Sequence, residues 1–307
     1  MPLFHFKTPS VIGLEITSHE VRFVQLKKTR KRYTIMQVVR EPLPANMVAE
    51  GKIIDWHRLT SIIAEWVRLL NWEKLSVVIL LPAAMVRIQH IQLSPHVTDE
   101  TLASEIDHHI KRDLPGIHET VAMDYHILKS TEMIVAVTRQ DYLLKYINCI
   151  NQTGLKVKIV DIDIYALIRF FIQTMSLSLK PGESYGLIFM TAQTARLILF
   201  NSNEIFYHQD YIATHPDHFL IQWRTNMQMG MTLCRQAMVQ TLWFYGPTVY
   251  FDAIKQELSA FVHDYCQCHY LFHELKISAM MDMQFLDENE ATFVMSCGAV
   301  MQDIPRW

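Results

Sequence analysis

The chain has 307 residues, half of them hydrophobic and 19% charged; the length suits one large domain or two of medium size, and the composition excludes a disordered or fibrous protein. Basic and acidic residues number 28 and 31, a net charge of −3, which argues against a general nucleic-acid binder with its basic field. Glycine is scarce, 9 residues in all, and no GxG, GG or GxxxxGK[ST] phosphate loop occurs.

Five cysteines (Cys149, Cys234, Cys266, Cys268 and Cys297), an odd number mostly scattered singly, do not read as a disulfide framework and predict a reducing compartment. The opening MPLFHFKTPSVIGLEI carries Lys7 but no apolar run ahead of a small-residue cleavage site, so no signal peptide is expected. No stretch approaches the ~20 apolar residues of a membrane span. A cytoplasmic, soluble protein is expected, one that works at a membrane only by holding a membrane protein.

In chain order, Val11–Ile16, Val21–Leu26 and Tyr33–Val39 read as a three-strand meander, with a basic turn at Lys27–Arg32. Pro42 and Pro44 end the ladder. Asp55–Leu70 has a helical period, and Val77–Leu81 reads as a buried strand. A second unit follows: a strand at Val86–Leu93, a helix at Thr98–Arg112, strands at Val121–Leu128 and Met133–Thr138, a helix at Asp141–Gln152 stopped by Gly154, a strand at Lys156–Asp161 and a helix at Ile164–Thr174. Pro181-Gly182 marks the best boundary. Tyr185–Phe189, Ala195–Phe200 and Ile205–Tyr211 then repeat the three-strand opening. Helices are expected over Pro216–Tyr245 and Ala253–Asp264, and Phe293–Met301 closes the chain. Two halves that open alike predict a duplicated α/β fold.

Four segments, in order, resemble a known family. They are Ile12-Gly13-Leu14-Glu15-Ile16-Thr17-Ser18 with Val21–Leu26; Pro42-Leu43-Pro44 with Glu50-Gly51-Lys52-Ile53-Ile54-Asp55; Glu105-Ile106 through Leu114-Pro115 to Glu119, Val121, Asp124-Tyr125 and Leu128; and Ile134–Val137, Tyr142, Gly154-Leu155 and Val160-Asp161-Ile162. Together they are similar to the type IV pilus assembly protein PilM family of the actin-like ATPase superfamily, over residues 11–172. The resemblance implies an actin-like (ribonuclease H-like) α/β fold of two halves with an inserted small strand–helix–strand subdomain. The corresponding division is 1–85 for the first subdomain, 86–160 for the insertion, 161–180 for a helix and linker returning to the first subdomain, and 181–307 for the second half.

Against that family the nucleotide loops are degraded. The opening turn carries Glu15 where the family has aspartate and Thr17 where it has glycine, with Ser18 beside them; threonine adopts positive φ poorly. The second phosphate turn falls at Phe189-Met190-Thr191-Ala192, without carboxylate or glycine, and the adenosine-side turn near Gly246-Pro247-Thr248 keeps one glycine. Phosphoryl transfer needs metal, placed water and phosphate cradle together. Glu15, Thr17, Ser18 and Gly246 are therefore read as remnants of a nucleotide site, with no ATP or Mg cofactor expected and no enzymatic turnover.

The resemblance further implies a scaffold of the pilus inner-membrane platform. Its partner would be the N-terminal cytoplasmic tail of a PilN-like single-pass membrane protein, held in a groove between the Val11–Leu81 unit and the Val86–Ile159 unit. It also allows contact with pilus motor ATPases and assembly of several copies. The alternatives are an ATPase regulating motor engagement, or the cytoplasmic part of a type II secretion platform protein, which would continue into a membrane span. Other clusters take plainer readings. His263, Cys266, Cys268, His269 and His273 lack zinc-site spacing. His108 and His109, with His96 before them, read as a solvated helix face, and the basic turn at Lys27–Arg32 as a solvated loop. The methionines Met227, Met229, Met231, Met280, Met281 and Met283 read as core filler.

Overall fold

The computed structural model describes residues 10–29, 32–49, 51–94, 97–113, 120–129, 131–175, 177–191, 194–212, 228–259, 262–268, 272 and 274–302. Strands β1 (Ser10–Ile16), β2 (Glu20–Thr29) and β3 (Arg32–Pro42) form the first meander. A two-residue hairpin, β4 (Val48–Ala49) with β5 (Lys52–Ile53), leads to helix α1 (Trp56–Leu69). Asp55 caps α1 by accepting the Arg58 amide at 3.0 Å, and Leu59, Ile63 and Val67, four residues apart, form its buried stripe. Strand β6 (Ser76–Leu81) is buried on both faces, as a parallel strand between helices must be.

The insertion follows: β7 (Arg87–Gln92), α2 (Asp99–Asp113), β8 (Val121–Lys129) and β9 (Glu132–Arg139). It makes an antiparallel sheet of order β7-β9-β8 with its own core, where Met133, Val135 and Val137 meet Ile106 and Ile110 of α2. Helix α3 (Gln140–Gln152), β10 (Lys156–Ile162) and α4 (Asp163–Thr174) return to the first half. The second half has β11 (Ser184–Met190), β12 (Thr194–Asn201), β13 (Ile205–Ile212), α5 (Gln228–Gln236), β14 (Thr241–Tyr245), α6 (Thr248–Leu258) and β15 (Asp264–Cys268). The described chain closes with β16 (Lys276–Ile277), α7 (Met283–Glu288) and α8 (Glu290–Val300).

The duplication is explicit in the pairing. The first sheet runs β3-β2-β1-β6-β10 with β16 added beyond β3; the second runs β13-β12-β11-β14-β15. In each, the meander is antiparallel and the next two strands are parallel to the first. Helices α4 and α8 are buried between the sheets, and one hydrophobic core joins Leu26 and Ile35, Phe170 and Phe171, Leu187 and Phe200, and Phe293. An apolar helix buried on nearly every side needs such a sandwiched position.

Four expectations change. The insertion ends near 139, not 160: α3 packs Tyr146, Cys149 and Ile150 into the first half's core and β10 pairs with β6. The second half does not run to the end of the chain, because β16 pairs with β3 and α8 packs on β1 and β2. The stretch read as helical to Tyr245 ends in strand β14, a buried β-rich run whose short period resembles a helix segment; 213–227 lie outside the described residues. The expected helix Ala253–Asp264 sits earlier, at α6, with Pro247 at its N-cap.

Candidate functional site

Two places bear on function: a groove beside the insertion, and the cleft where the two halves meet. The groove is a cavity of about 440 Å³ between the inserted sheet and the first half. Register decides its near wall. Met133, Val135 and Val137 point to α2, so Ile134, Ala136 and Thr138, with Ala122, Asp124 and His126 opposite them on β8, face the groove. The far wall is β10 (Ile159–Ile162) with Tyr165 and Arg169 of α4, Leu81 and Leu143.

Both walls present an outermost strand, β8 and β10. Each has an aspartate folded over the next amide: Asp124 Oδ1 accepts from Tyr125 at 2.9 Å and Asp161 Oδ1 from Ile162 at 2.8 Å. Asp161 also pairs with Arg169 at 2.6 Å, and Arg169 donates to the Gly298 carbonyl at 2.9 Å. Burial, then Glu204 and Asp161, push the Tyr165 phenol up to about 12, so it lines the groove as a neutral hydroxyl. Two ties hold the insertion over the groove: Thr138 Oγ1 donates to the Met85 carbonyl at 2.9 Å, and His90 Nε2 lies 2.5 Å from Glu204 Oε2 on the β12–β13 turn. The groove is thus an open slot lined by apolar side chains with Asp124, His126, Asp161 and Arg169 among them, and with an outermost strand on either side, a shape that takes an extended chain.

In the cleft, the β1–β2 and β11–β12 turns are built alike. Thr17 Oγ1 accepts the amides of His19 and Glu20 at 3.3 and 3.1 Å, while the Thr17 amide bonds to the Glu20 carbonyl at 2.9 Å. Thr191 Oγ1 accepts the Thr194 amide at 3.1 Å, and the Thr191 amide bonds to the Thr194 carbonyl at 2.8 Å. Each threonine hydroxyl thereby takes amides of its own turn. Thr17 keeps out of the left-handed backbone region that the family's glycine suits.

Five residues past each threonine stands an arginine, Arg22 and Arg196, at the same register position of its hairpin. Arg22 pairs with Glu15 at 3.0 Å and Glu20 at 2.6 Å, and Arg40 also holds Glu20. Arg196 reaches across the halves to Asp163 at 3.0 Å and pairs with Asp210 at 2.5 Å. Glu15 is buried, and burial raises its pKa against the pull of Arg22. Where the second half would carry its carboxylate, Phe189 stacks on Tyr245 with centroids 5.3 Å apart. Gly246, at φ 155°, presses on the core of the sheet's other face: a Cβ there would stand 2.7 Å from Met190 Cβ and 3.2 Å from Phe244 Cζ. The structure thus brings Glu15, Thr17 and Ser18 together on one turn of the first half and places Gly246 beside Met190, both in the second half. Ala192 lies outside the described residues.

The sequence reading missed Arg22 and Arg196, though threonine followed five residues later by arginine, in both meanders, was there to find. It also missed every groove residue, because which side of a strand faces a groove is set by the partner sheet. The cysteine cluster is not a site in the described part: Cys266 and Cys268 lie on strand β15 rather than a helix, burial pushes the Cys268 thiol up to about 12, and His269 and His273 lie outside the described residues. No group of three metal-ligating side chains occurs among the described residues. The same limit leaves out Arg30, Lys31, Glu50, His96, 114–119 and Met227, each part of a motif discussed above.

Paired sheets of one strand order, two helices buried between them and a small sheet inserted into the first half define an actin-like protein. A chain of a PilM–PilN type IV pilus biogenesis complex, 14% identical, superposes with a TM-score of 0.75 over 96% of this chain and 99% of that one. The cytoplasmic domain of EpsL, an inner-membrane component of the type II secretion system of Vibrio cholerae, is 10% identical and matches with a TM-score of 0.54 over 96% of each chain. At these identities the likeness is one of fold. The family model described as type IV pilus assembly protein PilM matches residues 13–212, and the chain belongs to that family.

Proposed function

We propose that this protein is a non-catalytic scaffold of the type IV pilus inner-membrane platform, cytoplasmic and held at the membrane by the N-terminal tail of a PilN-like protein lying in the groove between β8–β9 and β10–α4. The observation that carries the reading is the groove itself, open and edged by two strands, in a PilM-family chain whose fold superposes on a PilM–PilN complex. No helix among the described residues is long and apolar enough to cross a membrane, so attachment through a partner is the route this reading takes. In the cleft the side chains do not fit a metal nucleotide. Turn amides that would cradle phosphate are taken by Thr17 and Thr191, Glu15 is engaged by Arg22, and Phe189 and Tyr245 occupy the opposite side. The reading therefore includes no turnover.

The test is calorimetric titration of the full chain with a synthetic PilN-like N-terminal peptide. A micromolar Kd, about −8 kcal/mol, is expected, changing little with salt because apolar contact dominates. Ala136→Phe, which fills the groove from its wall, should weaken binding about tenfold or more with the fold retained. Mg·ATP should give no heat in the same cell. No binding of the tail removes the scaffold reading; tight nucleotide binding favours an ATPase instead.

A further inference from the structure

By sequence the basic turn at Lys27–Arg32 reads as a solvated loop. Strand pairing places more charge around it. Lys27 lies opposite Thr34, and Thr34 opposite Lys276 of β16, while Lys28 and Arg32 stand nearer the hairpin tip. Strands β1, β6 and β10 are parallel, so all three begin at this end of the sheet: Ser10 is opposite Lys27, and Lys156 opens β10 opposite Ser76. The Lys74 amide donates to the Gly154 carbonyl at 2.7 Å, which draws the connections into β6 and β10 together there. The last turn of α1 arrives at the same place. A Cβ on Gly154 would stand 3.6 Å from Val67 Cγ1, so Arg68 and Leu69 follow at this end too.

The result is a basic pole on a chain that is acidic overall. The described residues of the stretches 27–34, 68–76, 152–158 and 274–277 hold eight lysines and arginines against two acids, Glu73 and Glu274, where the whole chain holds 28 against 31. Arg32, Arg68, Lys74, Lys156 and Lys276 are exposed. Charge of one sign gathered at one end of a molecule of the other net sign turns that end toward an anionic surface. Leu69, beside Arg68, is 65% exposed, an apolar side chain among the cations. Anionic headgroups attract the cations, and the headgroup boundary also rewards burial of a leucine, which a nucleic acid backbone does not. Strand β10 joins the pole to the groove: Lys156 begins it, and Ile159–Ile162 form the groove's far wall.

We propose that this end of the first sheet rests on an anionic phospholipid surface. Lipid phosphates accept from the lysines and arginines, and Leu69 enters between the headgroups. The contact goes beyond the scaffold reading and needs no tail. Where a tail also lies in the groove, both attachments hold one molecule to one membrane, so a lipid contact that is weak and reversible by itself adds to the hold of the tail.

Co-sedimentation of the full chain with vesicles tests this. Phosphatidylcholine vesicles with about a quarter phosphatidylglycerol should bind it at low salt and release it at high salt, and phosphatidylcholine alone should not bind it. Arg32→Glu with Lys276→Glu should weaken binding about tenfold or more, and so should the separate pair Lys74→Glu with Lys156→Glu. Lys52→Glu with Arg235→Glu changes the net charge equally, at exposed positions away from the pole, and should leave binding nearly unchanged. Leu69→Ser should weaken it about threefold. No binding to the anionic vesicles overturns the proposal, as does an equal loss in all three double variants. Binding to single-stranded DNA as tight as to vesicles at the same salt also overturns it, in favour of a general polyanion surface. Vesicle binding without binding of the tail peptide would leave this proposal standing and remove only the scaffold reading.

Discussion

Glu15 and Glu20 flank one turn and respond oppositely to their surroundings. Burial raises the pKa of Glu15, and Arg22 only partly offsets it. Burial also acts to raise Glu20, but Arg22 and Arg40 outweigh it and hold the carboxyl below its ordinary value. The stability due to Glu20 is thus present above the unfolded pKa of a glutamate and is lost as pH falls through the lower folded value. That due to Glu15 has the reverse sign: it is present below the unfolded pKa and lost as pH rises through the raised one. Glu20→Gln, which leaves Arg22 with Glu15 alone and the half-exposed Arg40 with Asn289, should cost about 2 kcal/mol at neutral pH and flatten the acid limb of the stability profile. Glu15→Gln should cost less, and its cost relative to the native chain should shrink as pH rises. Urea unfolding of both variants from acid to neutral pH checks the contrast.

Among the elements, the crossing of α4 and α8 shows packing overriding propensity. A Cβ on Gly298 would stand 1.9 Å from the Ala166 carbonyl oxygen, so the helices touch through bare backbone. Helix propensity favours alanine over glycine by about 1 kcal/mol in an exposed helix interior. Here Gly298→Ala forces the helices apart and should destabilise by about 3 kcal/mol, read from urea midpoints at unchanged slope. Outer strands show a second device. Asp124, Asp161 and Asp264 each fold over the following amide on β8, β10 and β15, so a chain adding to one of these edges, the tail in the groove included, must displace a carboxylate from that amide.

At the scale of the molecule, the halves are not independent units in sequence. The closing segment crosses back: β16 pairs with β3, α8 packs against α4, β1 and β2, and Arg40 donates to Asn289 Oδ1 at 2.9 Å. Asp163 and Arg196 join the halves again in the cleft. A fragment of residues 1–175 keeps the groove residues up to Arg169 but exposes Ile168, Phe170 and Phe171, which the intact chain buries. We expect that fragment to be aggregated or molten by circular dichroism and proteolysis, and the full chain to unfold in one transition. Separate transitions for the halves would contradict the shared core.

By itself the sequence determined the elements whose signals are local. Alternating apolar runs broken by polar turns marked both meanders, and the period of Leu59, Ile62, Ile63, Trp66, Leu69 and Leu70 marked α1. Repetition of that opening marked the duplication, and motif order from Gly13 to Ile162 marked the family. Loss of glycine and aspartate at Glu15–Ser18 was equally plain, because a phosphate turn depends on backbone conformations that few residues adopt. Tertiary structure alone decided the rest. Ala136 and Ile159 line one groove, and Arg196 meets Asp163, though these residues are far apart in the chain; periodicity says that a residue is buried or exposed, not against what. The place of α8 was hidden for the same reason: a helix apolar all round carries no face to read, and only the two sheets closing on it fix where it lies.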